Sequence, residues 1–250
     1  MVKQVLNKIK PAGGFAHAFH ILLVAMLPTL VFVFVRLNLA GIAVALILLG
    51  KWRMFAVRPR HWPANVRANA IDIIVGLSFL VFMTHSSSPG FQLVWAILYA
   101  IWLLAIKPGS SSLLVSLQAA IGQALGLSAL FLNWGDTSVL VLSGVAWAIC
   151  YSAARHFFTS FEEPHTRFLA YMWGYFAAAL TWVLSHWLLF YGQVSQVTLL
   201  LSVIGFGLVG LYYLDITDRL TTLVRRQVVF IMLAIILIVL VFSDWGDKAV

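Results

Sequence analysis

At 250 residues, 62% hydrophobic and 10% charged, the chain holds far less charge than the quarter usual in soluble domains, and a mean hydropathy of +0.99 excludes an ordinary soluble globule. One cysteine, Cys150, excludes an intrachain disulfide and a Cys-rich metal site. The net charge of +8 needs no nucleic acid to explain it, because cytoplasmic loops of membrane proteins collect Lys and Arg.

A bilayer span takes about 20 apolar residues. The chain opens on a short basic segment, 1–14, with Lys3, Lys8 and Lys10. The apolar run 15–35 that follows exceeds the h-region of a secretory signal, about 7–15 residues, so it reads as a retained first span. Pro28 is a kink point within it. Further spans are predicted at 39–57, 69–87, 90–106, 111–133, 137–156, 166–191, 195–214 and 225–243. Helix starts are expected at Asn69 with Asp72, at Ser110 or Ser111, at Asp136 and at Ser195. Pro108 and Gly109 break the chain after the fourth span. The longest connections fall near 58–68, 157–165 and 215–224. The expected fold class is all-α, a polytopic integral membrane bundle of about nine transmembrane helices. It forms one transmembrane domain over 1–250 with no soluble domain.

Charge then assigns sides. Lys3, Lys8, Lys10, Lys51, Arg53, Arg58, Arg60, Arg67, Lys107, Arg155, Arg167, Arg219, Arg225 and Arg226 fall on one side of this topology, 14 of the 16 Lys and Arg residues. Only Arg36 and Lys248 fall on the other. The positive-inside rule therefore puts the N-terminus in the cytoplasm and the C-terminus outside. A bacterial-type plasma membrane fits that bias. Trp52, Trp62, Trp134, Trp187, Tyr191, Tyr212, Tyr213 and Trp245 lie near span ends, where amphipathic rings suit the interface.

In lipid, helices associate where small residues let backbones approach. The seventh span has such a stripe in Ala170, Gly174, Ala178, Thr181 and Ser185. The fifth has Ser112, Ser116, Ala119, Gln123 and Gly126, with a GxxxG at Gly122 and Gly126, and the sixth has Gly144 and Ala148. The ninth, almost wholly aliphatic, is expected at the lipid-facing periphery.

No catalytic, cofactor or metal signature stands out. Gly205, Gly207 and Gly210 spell GxGxxG, but inside an apolar span rather than at a strand-to-helix turn. His17 and His20 are one turn apart without a third ligand. Asp72 reads as a helix cap or a partner of Arg67. Glu162, Glu163 and His165, near Arg155 and His156, read as a solvated, salt-bridged loop. The densest constellation is 51–62, where Lys51, Arg53, Arg58 and Arg60, with Arg67 following, alternate with aromatics. Such groups are candidate contacts for an anionic head group or phosphate. Gln118, Gln123, Thr181 and His186 are the notable polar groups within spans, and such residues usually face the bundle interior. They form a candidate intramembrane polar path.

The function expected from this pattern is a small transporter or permease-like protein for a neutral or weakly polar solute. The alternative is a non-catalytic membrane subunit or scaffold whose basic cytoplasmic loops meet anionic lipid or an acidic membrane-protein partner. A lipid- or phosphate-processing enzyme using Arg53, Arg58, Arg60 and Asp72 ranks third. Expected partners are membrane lipids, with anionic head groups at the cytoplasmic face, and no nucleic acid. No cofactor is expected.

Overall fold

The computed structural model describes residues 15–56, 58–107, 111–187, 190, 191 and 194–243; of these, the side chains of 15–20, Arg53, Trp187, Phe190 and Tyr191 stand outside the description. Segment 1–14, the His17 and His20 side chains, Pro108, Gly109, Ser110, Trp245 and Lys248 therefore lie outside it too.

Nine α-helices run through the described residues: α1 Phe15–Arg36, α2 Ala40–Leu49, α3 Trp62–His85, α4 Pro89–Ile101, α5 Ser112–Trp134, α6 Val139–Ser160, α7 Thr166–Leu184, α8 Gln196–Ile216 and α9 Thr222–Phe242. A π turn, Trp102–Ile106, extends α4. Phe190–Tyr191 pairs antiparallel with Val194–Ser195 before α8. Six segments are long and apolar enough to cross a membrane: Pro59–His85, Pro89–Ile106 and the helices α5, α6, α8 and α9. The chain is thus an all-helical protein of membrane character.

Of the other three helices, α2 and α7 depart from the sequence expectation, whereas α1 keeps the expected bounds. Helix α2 has only 10 residues, about 15 Å of rise, and cannot by itself cross a hydrocarbon core of about 30 Å. It ends at Leu49 rather than near 57, because 3₁₀ turns at Trp52–Met54 and Pro59–His61 replace its continuation. Helix α7 ends at Leu184, short of 191, and its 19 residues, with Arg167 in the first turn, are not among the six. In α1 the apolar stretch with described side chains is Ile21–Arg36. The helix passes through Pro28 without a break.

Helix starts follow local hydrogen bonding. Ser88, Ser111, Ser195 and Thr221 each accept a backbone N–H from three residues on, which satisfies a first-turn donor of α4, α5, α8 and α9. Ser111 and Ser195 are the caps the sequence predicts. Asn69 and Asp72 are not caps: α3 begins at Trp62, with Pro63 in its first turn, ten residues before Asp72. The residue preceding α6 is Ser138, not Asp136. The expected long connections shrink because helices consume them; α6 reaches Ser160, α8 reaches Ile216 and α3 starts at 62. The tight turn after α1 is real, with Asn38 at φ 60°.

Two apolar clusters hold the bundle. The first joins Val31 and Val35 of α1, Ala43 and Ile47 of α2, Ile71, Val75 and Phe79 of α3, and Tyr99 of α4. The second joins Leu127 and Leu130 of α5, Leu142, Ala146 and Cys150 of α6, Ala177 of α7, and Val197 and Leu201 of α8. Close approach of α5 to its neighbours explains its glycines. A Cβ on Gly122 would stand 2.9 Å from Ile71 of α3, and one on Gly126 2.6 Å from Ile74 of α3 and 3.0 Å from Ile149 of α6. Gly174 lies against Trp147 in the same way, and Ala170 is fully buried, whereas Ala178 is only partly buried behind buried Ala177. Gly144 faces open space, so it is not a packing residue. Helix α9 buries only Val239 and is the peripheral helix the sequence predicts.

Candidate functional site

Polar contacts tie one end of the bundle together. The Lys51 ammonium beyond α2 and the Lys107 ammonium after α4 both reach Asp72 Oδ2 of α3, at 2.7 and 3.0 Å. Gln118 of α5 donates to the Ile106 carbonyl at 2.7 Å, and its Oε1 lies 3.1 Å from His156 Nε2 of α6. Tyr212 of α8 donates to Glu163 in the α6–α7 connection. Among the described residues, Arg155 near the end of α6 and Arg167 in the first turn of α7 adjoin the same contacts, which mark the basic end of the bundle.

Between α5, α6, α7 and α8, on the side towards this basic end, lies a chamber of about 590 Å³. Its wall is almost wholly apolar, with Ala119, Ala154, Phe157, Met172 and Val209 among the lining groups. The second apolar cluster closes α5–α8 together towards the other end, while α7 and α8 touch little. Where they part, the lining side chains Met172, Phe176, Phe206 and Leu208 are also exposed on the outer surface. The basic end is floored by aromatics: the Tyr212 ring packs edge-on against Phe157, Phe158 and Phe161 at 5.3–5.6 Å.

One amide stands in the wall. Gln123 Nε2 donates to the Leu201 carbonyl at 2.9 Å, and Oε1 accepts from Trp173 Nε1 at 2.8 Å. The bond to Leu201 depends on Gly205, since a Cβ there would come within 2.7 Å of Gln123 Nε2. Gly205 thus serves packing, as Gly207 does against Met232 of α9, while nothing lies within 4 Å of a Cβ on Gly210. A primary amide has two N–H donors and two acceptor lone pairs. These two bonds leave one of each for a bound molecule.

Of the four residues of the expected polar path, Gln123 alone lines the chamber. Gln118 is engaged at the end of α4, Thr181 is fully buried in helix packing, and His186 sits exposed past α7 with Nδ1 2.7 Å from the Trp182 carbonyl. The chamber residue Trp173 carries no spacing signal in an aromatic-rich helix, and Tyr212 reads from the sequence only as an interfacial ring.

Among the described side chains of the basic segment, only Lys51 converges with other charges. Arg58 and Arg60 are exposed, and Arg60 Nε lies 2.9 Å from His61 Nε2. Arg67 does not pair with Asp72; its Nε donates to the Pro63 carbonyl on its own helix at 2.9 Å. The 51–56 stretch is fastened over α3 by Asn65, which donates to the Met54 carbonyl. This fold-back, with the shortness of α2, draws Lys51 inward onto Asp72.

Loss of hydration lowers the Lys51 ammonium from 10.5 to about 8, against the pull of Asp72. The folded protein therefore gives up this proton more readily than the unfolded chain. Its contribution to stability grows as pH rises from about 8 towards 10.5 and is constant below. The melting temperature of the wild type is expected to gain on that of Lys51→Met over this window. Parallel pH profiles would exclude the depressed value.

No group of three or more His, Cys, Asp or Glu suited to a metal occurs among the described residues. Comparison with known proteins finds no matching family model, no matching curated protein and no matching solved structure.

Proposed function

We propose that this chain is a small transporter or permease-like membrane protein that takes a neutral, weakly polar solute into the α5–α8 chamber. The observation that carries the reading is the chamber itself. Its volume falls within the roughly 300–1,000 Å³ of ligand pockets, and its wall is apolar with one half-used amide. An ion would find no counter-charge on the wall. A mostly apolar molecule with one hydrogen-bonding group would find Gln123. The parting of α7 from α8 offers a route from the surrounding lipid, and the Tyr212–Glu163 contact closes the basic end.

The same proposal includes the finer topology: nine membrane-inserted helices in a plasma membrane, with the N-terminus and the basic end cytoplasmic. The one-sided charge supports it. The short α2 enters as a partial span, which Lys51 ends against Asp72.

Native mass spectrometry of the protein in mild detergent tests the reading. A bound neutral small molecule is expected on the wild type and absent from Ala154→Phe, which fills the chamber, with weaker retention in Gln123→Leu by about tenfold. A protein partner at fixed stoichiometry with no small molecule would favour the scaffold instead. Retention unchanged by Ala154→Phe would move the site elsewhere.

A further inference from the structure

Two lysines converge on a single carboxylate oxygen. A topological signal does not require this: lysines that only mark the cytoplasmic side are best served by water, and long side chains reach it by snorkelling. Lys51 is instead 13% exposed, and Asp72 14%. One lysine would neutralise Asp72. The second leaves the cluster with one positive charge in excess and several N–H donors without an anionic partner among the described residues. Lys107, 38% exposed, keeps one side of the cluster open.

The surroundings say what kind of anion fits. The cluster lies where the apolar helices α2 and α4 end, and the segment that follows Lys51 in sequence presents exposed rings at Trp52, Phe55 and Trp62. Phe55 and Trp62 pack edge to face at 5.3 Å, and Trp62 Nε1 donates to the Phe55 carbonyl, so the aromatic face is built rather than loose. Exposed rings of this kind belong at the boundary between acyl chains and head groups. Arg58 and Arg60, exposed on the same segment, have no carboxylate partner among the described residues and add positive potential.

We propose that Lys51 and Lys107 bind the phosphate of an anionic phospholipid, with Asp72 holding the two ammonium groups side by side. The excess charge of the cluster is balanced by the lipid. A zwitterionic lipid carries its own cation and gains less. This site stands apart from the chamber and is independent of what the chamber holds.

The test is native mass spectrometry of the protein titrated with phosphatidylglycerol, with phosphatidylcholine of the same acyl chains, and with inorganic phosphate. The wild type is expected to bind phosphatidylglycerol about tenfold more tightly than phosphatidylcholine, the worth of one charge-assisted contact. Lys51→Met and Lys107→Met each leave one balanced ion pair and are expected to remove that preference. The triple variant Lys51→Met, Lys107→Met, Asp72→Asn has no charge left to bury and carries the same expectation should a single variant fail to fold. Arg58→Gln with Arg60→Gln is expected to keep most of the preference. Loss of the preference in the arginine variant with retention in the lysine variants would overturn the proposal in favour of diffuse surface charge. Saturation by inorganic phosphate with no preference between the lipids would overturn it in favour of a soluble anion.

Discussion

Asp72→Asn is expected to destabilise the fold by about 2–3 kcal/mol, the largest loss from any single charge in the chain. The amide keeps the shape of the carboxylate but leaves Lys51 and Lys107 facing each other without a counter-charge. Removing one partner of a buried ion pair costs about 3–5 kcal/mol. The cost here is smaller because Lys107 is 38% exposed and because Lys51, already held down to about 8, can shed its proton. Lys51→Met behaves differently. It leaves Asp72 paired with Lys107 and is expected to cost less than about 1 kcal/mol. Denaturation of the two variants in the same detergent measures the contrast. Equal losses would show that the two lysines do not compete for one oxygen.

The second large effect is expected at Gly126. An alanine there gains about 1 kcal/mol of helix propensity but places its Cβ 2.6 Å from Ile74 and 3.0 Å from Ile149. Those methyls belong to α3 and α6, so α5 is held from two sides and cannot step away from both. Overpacking typically costs about 1–3 kcal/mol, and the longer side chain of Gly126→Leu brings the upper end of that range. The melting temperature should fall in the order glycine, alanine, leucine. Gly144→Ala is the control, because nothing lies within 4 Å of its Cβ and propensity acts alone. A rise at both positions would mean that α5 is not clamped.

Much of the fold could be read from composition and apolar run length. Each of the nine expected spans holds a helix among the described residues, but six segments have the length and hydropathy to cross a membrane, and α2 fills only half of its expected run. Ends were read less well. Asn69 and Asp72 resemble a cap, but Pro63 and the polar turns Trp62–Asn69 also suit a helix, and packing of the 51–61 segment over Asn65 favours starting early. The length of α2 was misread for the same reason: 39–57 is apolar enough, and only the folded arrangement shows that Lys51 turns back onto Asp72.

The chamber was half legible. Gln123 stood out as a polar group inside a span, and it proves to be the amide of the wall. Its partners did not stand out, since Leu201 contributes a backbone carbonyl and Trp173 is one aromatic among many. The sequence carries a plainer signal. Asp72 is the only acid in the first 135 residues, among ten Lys and Arg. A solitary carboxylate in such company is a point of convergence, and Lys51 and Lys107 are the groups that meet there.

The concentration of the first cluster in α1–α4, with Ala153 of α6 joining it, bears on how the protein is made. A nascent chain enters the membrane N-terminus first, and Lys107 is the last charged residue of the first half. By the time it leaves the ribosome, both ammonium partners of Asp72 have been synthesised, and Tyr99 and Ile47 can already pack in the first cluster, which Ala153 of α6 completes later. The second half then docks through Gly122 and Gly126 onto a surface that exists before it. Assembly in this order pairs the one acid of the first half early, while α9, the last of the nine described helices, has almost nothing to bury.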